Sequence, residues 1–237
     1  MTRITLVAET GSTNADMTAL AGTGWEEGHW LRAERQVAGR GRMGREWRSL
    51  VGNLQASTLI RLRPVDPPVS GLGLLVGVAL WEAVTQLAPQ AGVQLKWPND
   101  LMAGPAKVAG ILLERVGDAV IVGVGVNVRT APQVEGRATT ALADLPGGGA
   151  IDAAGLAETL AERFTAWLAR WRAEGFAPVR AAWSAAAHAP GTRLRLDPGS
   201  ERAIEGGFEG VAEDGALLLR LDDGTRRVVH SGDVGFL

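Results

Sequence analysis

Between Ala38 and Arg45 the chain reads AGRGRMGR, with Trp47 close behind. Arg40, Arg42 and Arg45 alternate, or nearly so, with Gly39, Gly41 and Gly44. Arginine offers a planar, permanently charged fork that fits carboxylates and phosphates. Glycine lets a backbone adopt φ > 0 and approach a ligand closely, at an entropic cost when the loop orders. A loop of this composition can stand open when empty and close over an anion. A second stretch lies downstream, Lys96-Trp97-Pro98-Asn99-Asp100, then Lys107-Val108-Ala109-Gly110. Of 24 basic residues only Lys96 and Lys107 are lysines, and the four asparagines (Asn14, Asn53, Asn99, Asn127) fall in the first 127 residues. Codon bias accounts for that scarcity as readily as function does, so position carries more weight than rarity.

Several chemistries are absent. His29, His188 and His230 lie outside these glycine-rich motifs, so no nucleophile–base pair is in view. No His and carboxylate cluster has metal-ligand spacing, and the chain has no cysteine. The GxxxxGK[ST] phosphate loop does not occur. What remains is electrostatic clamping of anions, the main means by which phosphoryl and nucleotidyl transfer are catalysed. The pattern implies a nucleotide site built on a flexible loop.

The elements that must position these residues read as follows. Arg3–Ala8 alternates as a strand and ends in Glu9-Thr10-Gly11-Ser12-Thr13-Asn14, before a helical stretch from Ala15 to Ala21. Ser12 or Thr13 is a good N-cap there, and free N–H groups at a strand-to-helix turn suit a polar ligand as well as a plain cap. Trp30–Gln36 is a strand that delivers Gln36 to the arginine loop, and Asn53–Leu62 is the strand that leaves it. Val69–Ala88 is a buried helix, Val93–Trp97 a short strand, and Lys107–Arg115 and Ala119–Val128 are neighbouring strands turned at Gly117-Asp118. Gly123 and Gly125 on the last strand signal a close neighbour. Ile151–Ala173 is amphipathic, with Leu156, Leu160, Phe164, Trp167, Leu168 and Trp171 in one stripe. After Pro190 come short β-rich runs, Thr192–Leu196, Ala203–Val211, Ala216–Leu221 and Arg226–His230, with turns at Asp197-Pro198-Gly199, Asp214-Gly215 and Asp223-Gly224. The fold expected is α+β: a mixed sheet with helices on one side, then a small β barrel. The division is placed between a catalytic domain, 1–187, and a barrel, 188–237.

Composition sets the outer bounds. With 237 residues, 46% apolar, 21% charged and a net charge of −2, the chain reads as a globular protein with ample core. The slight acidity argues against general nucleic-acid binding. The longest apolar run, Leu72–Trp81, is too short for a bilayer and reads as a core helix. Lack of cysteine and of a signal-peptide pattern points to the cytoplasm.

ETGSTN, QVAGRGRMGREW, GNLQAS, KWPNDLM, KVAGILLE and GVGVNV, in this order from Glu9 to Val128, resemble the signature of biotin–protein ligases. The terminal barrel matches that family's cap, so the resemblance spans essentially the whole chain. It implies a class II synthetase-like catalytic domain with an SH3-like barrel, and a two-step reaction. Biotin's carboxylate attacks the α-phosphate of ATP, giving biotinyl-5′-AMP and pyrophosphate, with Mg2+ accompanying the nucleotide. A lysine of a biotin carboxyl carrier protein then attacks the anhydride. By the same resemblance Ser12, Thr13, Asn14 and Gln36 hold biotin, with Arg40, Gly41 and Arg42 in the loop that orders over it. Lys107 contacts the carboxylate and α-phosphate as the main charge stabiliser, assisted by Arg40 and Arg42. Arg45, Asn99 and Asn127 serve ATP or its metal, and Asp100 meets the incoming amine. Trp47 stacks on adenine or, on a plainer reading, packs on the sheet as a hinge. Met43 occupies the variable position of the loop. Many bacterial relatives carry an N-terminal helix-turn-helix; this chain opens on the catalytic strand, so a ligase without a DNA or membrane role is expected; family members can pair through their sheets, which leaves homodimer and monomer both open. Two rivals stand beside this reading: a lipoate ligase, disfavoured by GRGRMGR together with KWPND, and an Arg/Gly nucleic-acid module, disfavoured by net charge.

Overall fold

Seven strands pair into one sheet in the computed structural model, which describes residues 3–197 and 203–237. Its strands are β1 (Ile4–Thr10), β2 (Trp30–Gln36), β3 (Leu54–Arg61), β4 (Val93–Lys96), β5 (Asp100–Ala103), β6 (Ala106–Val116) and β7 (Ala119–Val126). Their order is β1-β2-β3-β7-β6-β5-β4. Only β1 and β2 run parallel, joined by helix α1 (Thr13–Ala21); the other pairs are antiparallel. β7, AVIVGVGV, is buried along its whole length, as a continuous apolar run demands.

Strand period two divides the sheet's side chains between two faces. Ile60, Val120, Val122 and Val124 face the main core with helices α2 (Leu72–Leu87), α3 (Ala153–Glu174) and α4 (Ala177–Ala186). Asp152 caps α3 by accepting from Ala154 N and Gly155 N, and Gly175, at φ +80°, ends it. The segment Val69–Leu87 is apolar and long enough to cross a membrane by composition; here it is the central core helix, packed by α3 and α4. The short α1 is the exception to a one-sided arrangement. Its Met17 and Ala21 pack with Leu31, Leu59 and Ile121 on the opposite face. That face is covered only in part, and Gln55, Gly123 and Gly125 further along β3 and β7 border a cavity instead.

A second, five-stranded antiparallel sheet forms the SH3-like C-terminal barrel: β8 (Arg193–Leu196), β9 (Ile204–Val211), β10 (Leu217–Arg220), β11 (Arg226–Val229) and β12 (Val234–Phe236). Leu194, Phe208, Leu217 and Val234 join the main apolar core, with Trp183 of α4 against Phe208 at 6.2 Å. Four elements differ from expectation. α1 begins at Thr13 rather than Ala15, and Ser12 occupies the cap position without a side-chain cap bond. α4, β5 and β12 were not anticipated. Of the expected turn at 197–199, Pro198 and Gly199 lie outside the described residues.

Candidate active site

The cavity follows β7. At one end Asn14 lies over Gly123, where an added Cβ would sit 2.1 Å from Asn14 Oδ1. Thr13 donates to Gln36 Oε1 from both its N–H and its hydroxyl, at 2.8 and 2.9 Å. Ser57 of β3 places its hydroxyl 2.7 Å from both Thr13 Oγ1 and Asn14 Oδ1, and Asn14 Nδ2 donates to Glu114 Oε2 at 2.7 Å. These contacts fix a buried cluster of amides and hydroxyls with little net charge.

In the middle, Trp47 lies on the sheet. A Cβ at Gly125 would come within 2.3 Å of its ring, so that glycine is demanded by the close approach, while one at Gly110 would lie 3.0 Å from Lys107 Nζ and 3.3 Å from the ring, a tight fit. The arginine loop that carries Trp47 is folded as a hairpin. Gly41 N donates to Arg45 O and Trp47 N to Gly39 O, around a tip where Met43 takes φ +58°. The hinge reading of Trp47, packed on the sheet, describes its position; its ring also faces the cavity, with Lys107 Nζ 5.9 Å from the centroid.

The far end is cationic. Lys107 Nζ lies 2.5 Å from Asp100 Oδ1, and Lys96 Nζ 3.1 Å from Asp100 Oδ2 while donating to Val234 O at 2.8 Å. Burial pushes the Asp100 carboxyl upward, but the two ammoniums outweigh it and hold the group below the usual carboxylate range. Arg42 donates to Asn99 Oδ1 at 3.2 Å and to Gly232 O at 3.3 Å. Arg45 donates to Asp233 Oδ2 at 2.7 Å. Asn127 donates from Nδ2 to Lys107 O and Thr140 O, leaving a buried Oδ1 without a partner among the described residues. Arg40 is exposed and forms no side-chain hydrogen bond among the described residues.

The thirteen residues assigned site roles from sequence all line this one cavity of about 360 Å3: Ser12, Thr13, Asn14, Gln36, Arg40, Gly41, Arg42, Arg45, Trp47, Asn99, Asp100, Lys107 and Asn127. Asn53, also singled out by its rarity, is a brace: its Oδ1 accepts from Val128 N and Arg129 N. Sequence reading missed Ser57, Glu114, Arg137 and Asp233. Ser57 had a signal, a polar residue inside a buried strand; Arg137 and Asp233 had none. Among the described residues no group of three or more His, Cys, Asp or Glu could hold a metal ion.

Residues 9–129 match the model of the Biotin/lipoate A/B protein ligase family, and 193–237 match the biotin protein ligase C terminal domain. The biotin--[acetyl-CoA-carboxylase] ligase of Paracoccus denitrificans is 38% identical over 242 residues, covering 98% of this chain and 99% of that one. Its counterpart in Mycobacterium tuberculosis is 38% identical over 239 residues, covering 98% and 88%. Among solved structures, the biotin protein ligase from Aquifex aeolicus in complex with biotin and ATP superposes with a TM-score of 0.86 at 26% identity, over 100% of both chains. The chain belongs to the biotin protein ligase family.

Proposed function

We propose that the chain activates biotin with ATP as biotinyl-5′-AMP and transfers the biotinyl group to a lysine of a biotin carboxyl carrier protein. One observation carries the reading: a single cavity joins an uncharged amide-and-hydroxyl end to a cationic end centred on Lys107. That suits a polar ring with a carboxylate at its far end, followed by phosphates. A carboxylate oxygen of biotin attacks the α-phosphorus; the bond from that phosphorus to the bridging oxygen breaks, and its electron pair leaves with pyrophosphate. In the second step the acceptor amine attacks the biotinyl carbonyl carbon, the acyl–oxygen bond breaks, AMP leaves and the amine gives up a proton.

Ser12, Thr13, Asn14 and Gln36 hold the ring. Lys107 neutralises the carboxylate and α-phosphate as they approach, with Arg40 and Arg42 assisting; fixed cations in a sheltered site act without reorganisation. Arg40 has no competing partner among the described residues, which leaves it available to a ligand. Gly41 lets the loop backbone come close. Arg45, Asn99 and Asn127 attend the nucleotide, and Trp47 supplies an aromatic face for adenine. Asp100 receives the incoming amine once Lys107 turns to the substrate. Mg2+ would be held chiefly by the phosphates, neutralising their charge, since Mg2+ usually keeps several waters; Asn127, whose buried Oδ1 has no partner among the described residues, would supply one oxygen contact. Residues 1–187 form the catalytic unit and 188–237 its cap. The acceptor is the carrier domain of a carboxylase, met in the cytoplasm; the reading assigns no DNA or membrane role and includes a homodimer.

Exchange of pyrophosphate into ATP, with biotin or lipoate as the only acid, tests this. Exchange is expected with biotin alone. Exchange with lipoate alone would move the assignment to the sister activity, and silence with both acids from folded protein would refute it.

A further inference from the structure

Three consecutive residues leading into β12 hold four of the cations around the far end of the cavity. Gly232 O accepts from Arg42, Asp233 pairs with Arg45 and Arg137, and Val234 O accepts from Lys96. Asp233 is, among the described residues, the one carboxylate that pairs with both Arg45 and Arg137, at 2.7 and 2.6 Å. Its backbone is pinned by Asp197, whose N–H donates to Asp233 O and whose Oδ1 accepts from Asp233 N. Arg137 arrives from a different direction. The stretch it belongs to runs beside Lys107, with Lys107 N donating to Ala138 O and Thr140 N to Lys107 O. Two guanidiniums from separate loops therefore meet on one carboxylate in the wall of the cavity that Lys107 also lines. Without an anion between them they would repel.

We propose that Asp233 is a positioning residue for ATP: it holds Arg45 and Arg137 together as the subsite for the β- and γ-phosphates, which leave as pyrophosphate. The proposal rests on the reading of the cavity as an ATP site and deepens it. Lys107 takes the carboxylate and α-phosphate, so the two cations that share its cavity serve the two phosphates that follow. Holding both forks in place before the nucleotide arrives spares the ordering cost of two long side chains at binding. Asp233, partly exposed in the cavity wall, supplies that order from outside the catalytic sheet.

The test uses the full chain and separates the two half-reactions. Asp233→Asn is expected to raise KM for ATP in pyrophosphate exchange by about tenfold, the worth of one charge-assisted contact. KM for biotin should stay unchanged. Transfer from chemically supplied biotinyl-5′-AMP, which has no β- or γ-phosphate, should also stay unchanged. Arg137→Gln should show the same split, the double variant should lose less than the sum of the two single losses, and Asp233→Glu should recover part of the loss. An equal loss in ATP use, biotin use and adenylate transfer would mean a merely structural role and overturn the proposal. So would an unchanged KM for ATP, or a lowered one, which would mark Asp233 as a competitor of phosphate. Wild-type protein without biotin-dependent exchange would instead remove the reading of the cavity itself, and the proposal with it. Should Asp233→Asn not fold, Arg137→Gln and Asp233→Glu carry the same comparison.

Discussion

Replacing Lys107 by methionine removes one charge and keeps an unbranched stem against Trp47. In the folded protein the loss is small. Asp100 keeps its second partner, Lys96, at 3.1 Å, so no carboxylate is stranded, and Lys107 is the more exposed of the two lysine side chains, at 21% against 10%. The cost to stability should stay near about 1 kcal/mol, one net charged contact less. The cost to the reaction is larger. An ammonium about 4 Å from a phosphate oxygen contributes at most about 4 kcal/mol at the effective dielectric of a protein site, and removing one preorganised donor from an oxyanion lowers turnover about 10^2–10^3-fold. Lys96→Met inverts the pattern. It strands Val234 O and loosens β12, at roughly 2 kcal/mol of stability, while leaving the Lys107–Asp100 pair in place. Pyrophosphate-exchange turnover and urea midpoints, measured on both variants, check the contrast. Folded Lys107→Met with turnover within about tenfold of wild type would refute the reasoning, because no preorganised cation is worth so little.

Two further outcomes follow from packing and burial. Gly123→Ala would put a methyl group 2.1 Å from Asn14 Oδ1, so the amide must leave its place and release Glu114 and Ser57; KM for biotin should rise about tenfold with KM for ATP unchanged, and an unmoved biotin KM would detach Asn14 from the site. His188 is buried beside Phe208 and Phe236 with Lys96 near, and burial lowers its pKa from 6.5 to about 4. Unfolded chains then bind a proton that the folded protein refuses, so stability is full above pH 6.5 and is lost as pH falls toward 4, on the order of 3 kcal/mol in all. Asp100 and Asp233, held below the usual carboxylate range by their cationic partners, lose their contribution only at lower pH still. Denaturation midpoints of wild type and His188→Leu between pH 7 and 4 decide this; equal slopes in the two proteins would exclude His188 as the source.

Much of the fold was legible because its signals are local. β3, β6 and β7 carry β-branched residues and are bounded by glycine or polar turns, and α3 carries a long stripe of Leu, Phe and Trp. α4 buries only Val179, Trp183 and Ala186, too thin a stripe among alanines to announce a helix. β5, DLMA, has little strand propensity and β12, VGF, is only three residues around a glycine; they are strands because β4, β6 and β8 offer them partners.

The site divides in the same way. Its cations and amides were found because they sit in short glycine-punctuated motifs, where residue type and loop chemistry point to one purpose. The groups that hold those cations in place come from elsewhere in the chain. Asp233 is 188 positions from Arg45 and 96 from Arg137, and Glu114 is 100 from Asn14. Nothing local distinguishes Asp233 from the other acids of a polar C-terminal barrel, and its meaning appears only when β12 docks beside the catalytic sheet. A cationic site that binds polyanions needs both kinds of residue. Bare cations would repel and wander, and permanently neutralised ones would not bind. Here one carboxylate faces two guanidiniums and another faces two ammoniums, so each cluster stays ordered and keeps a positive surplus for the phosphates.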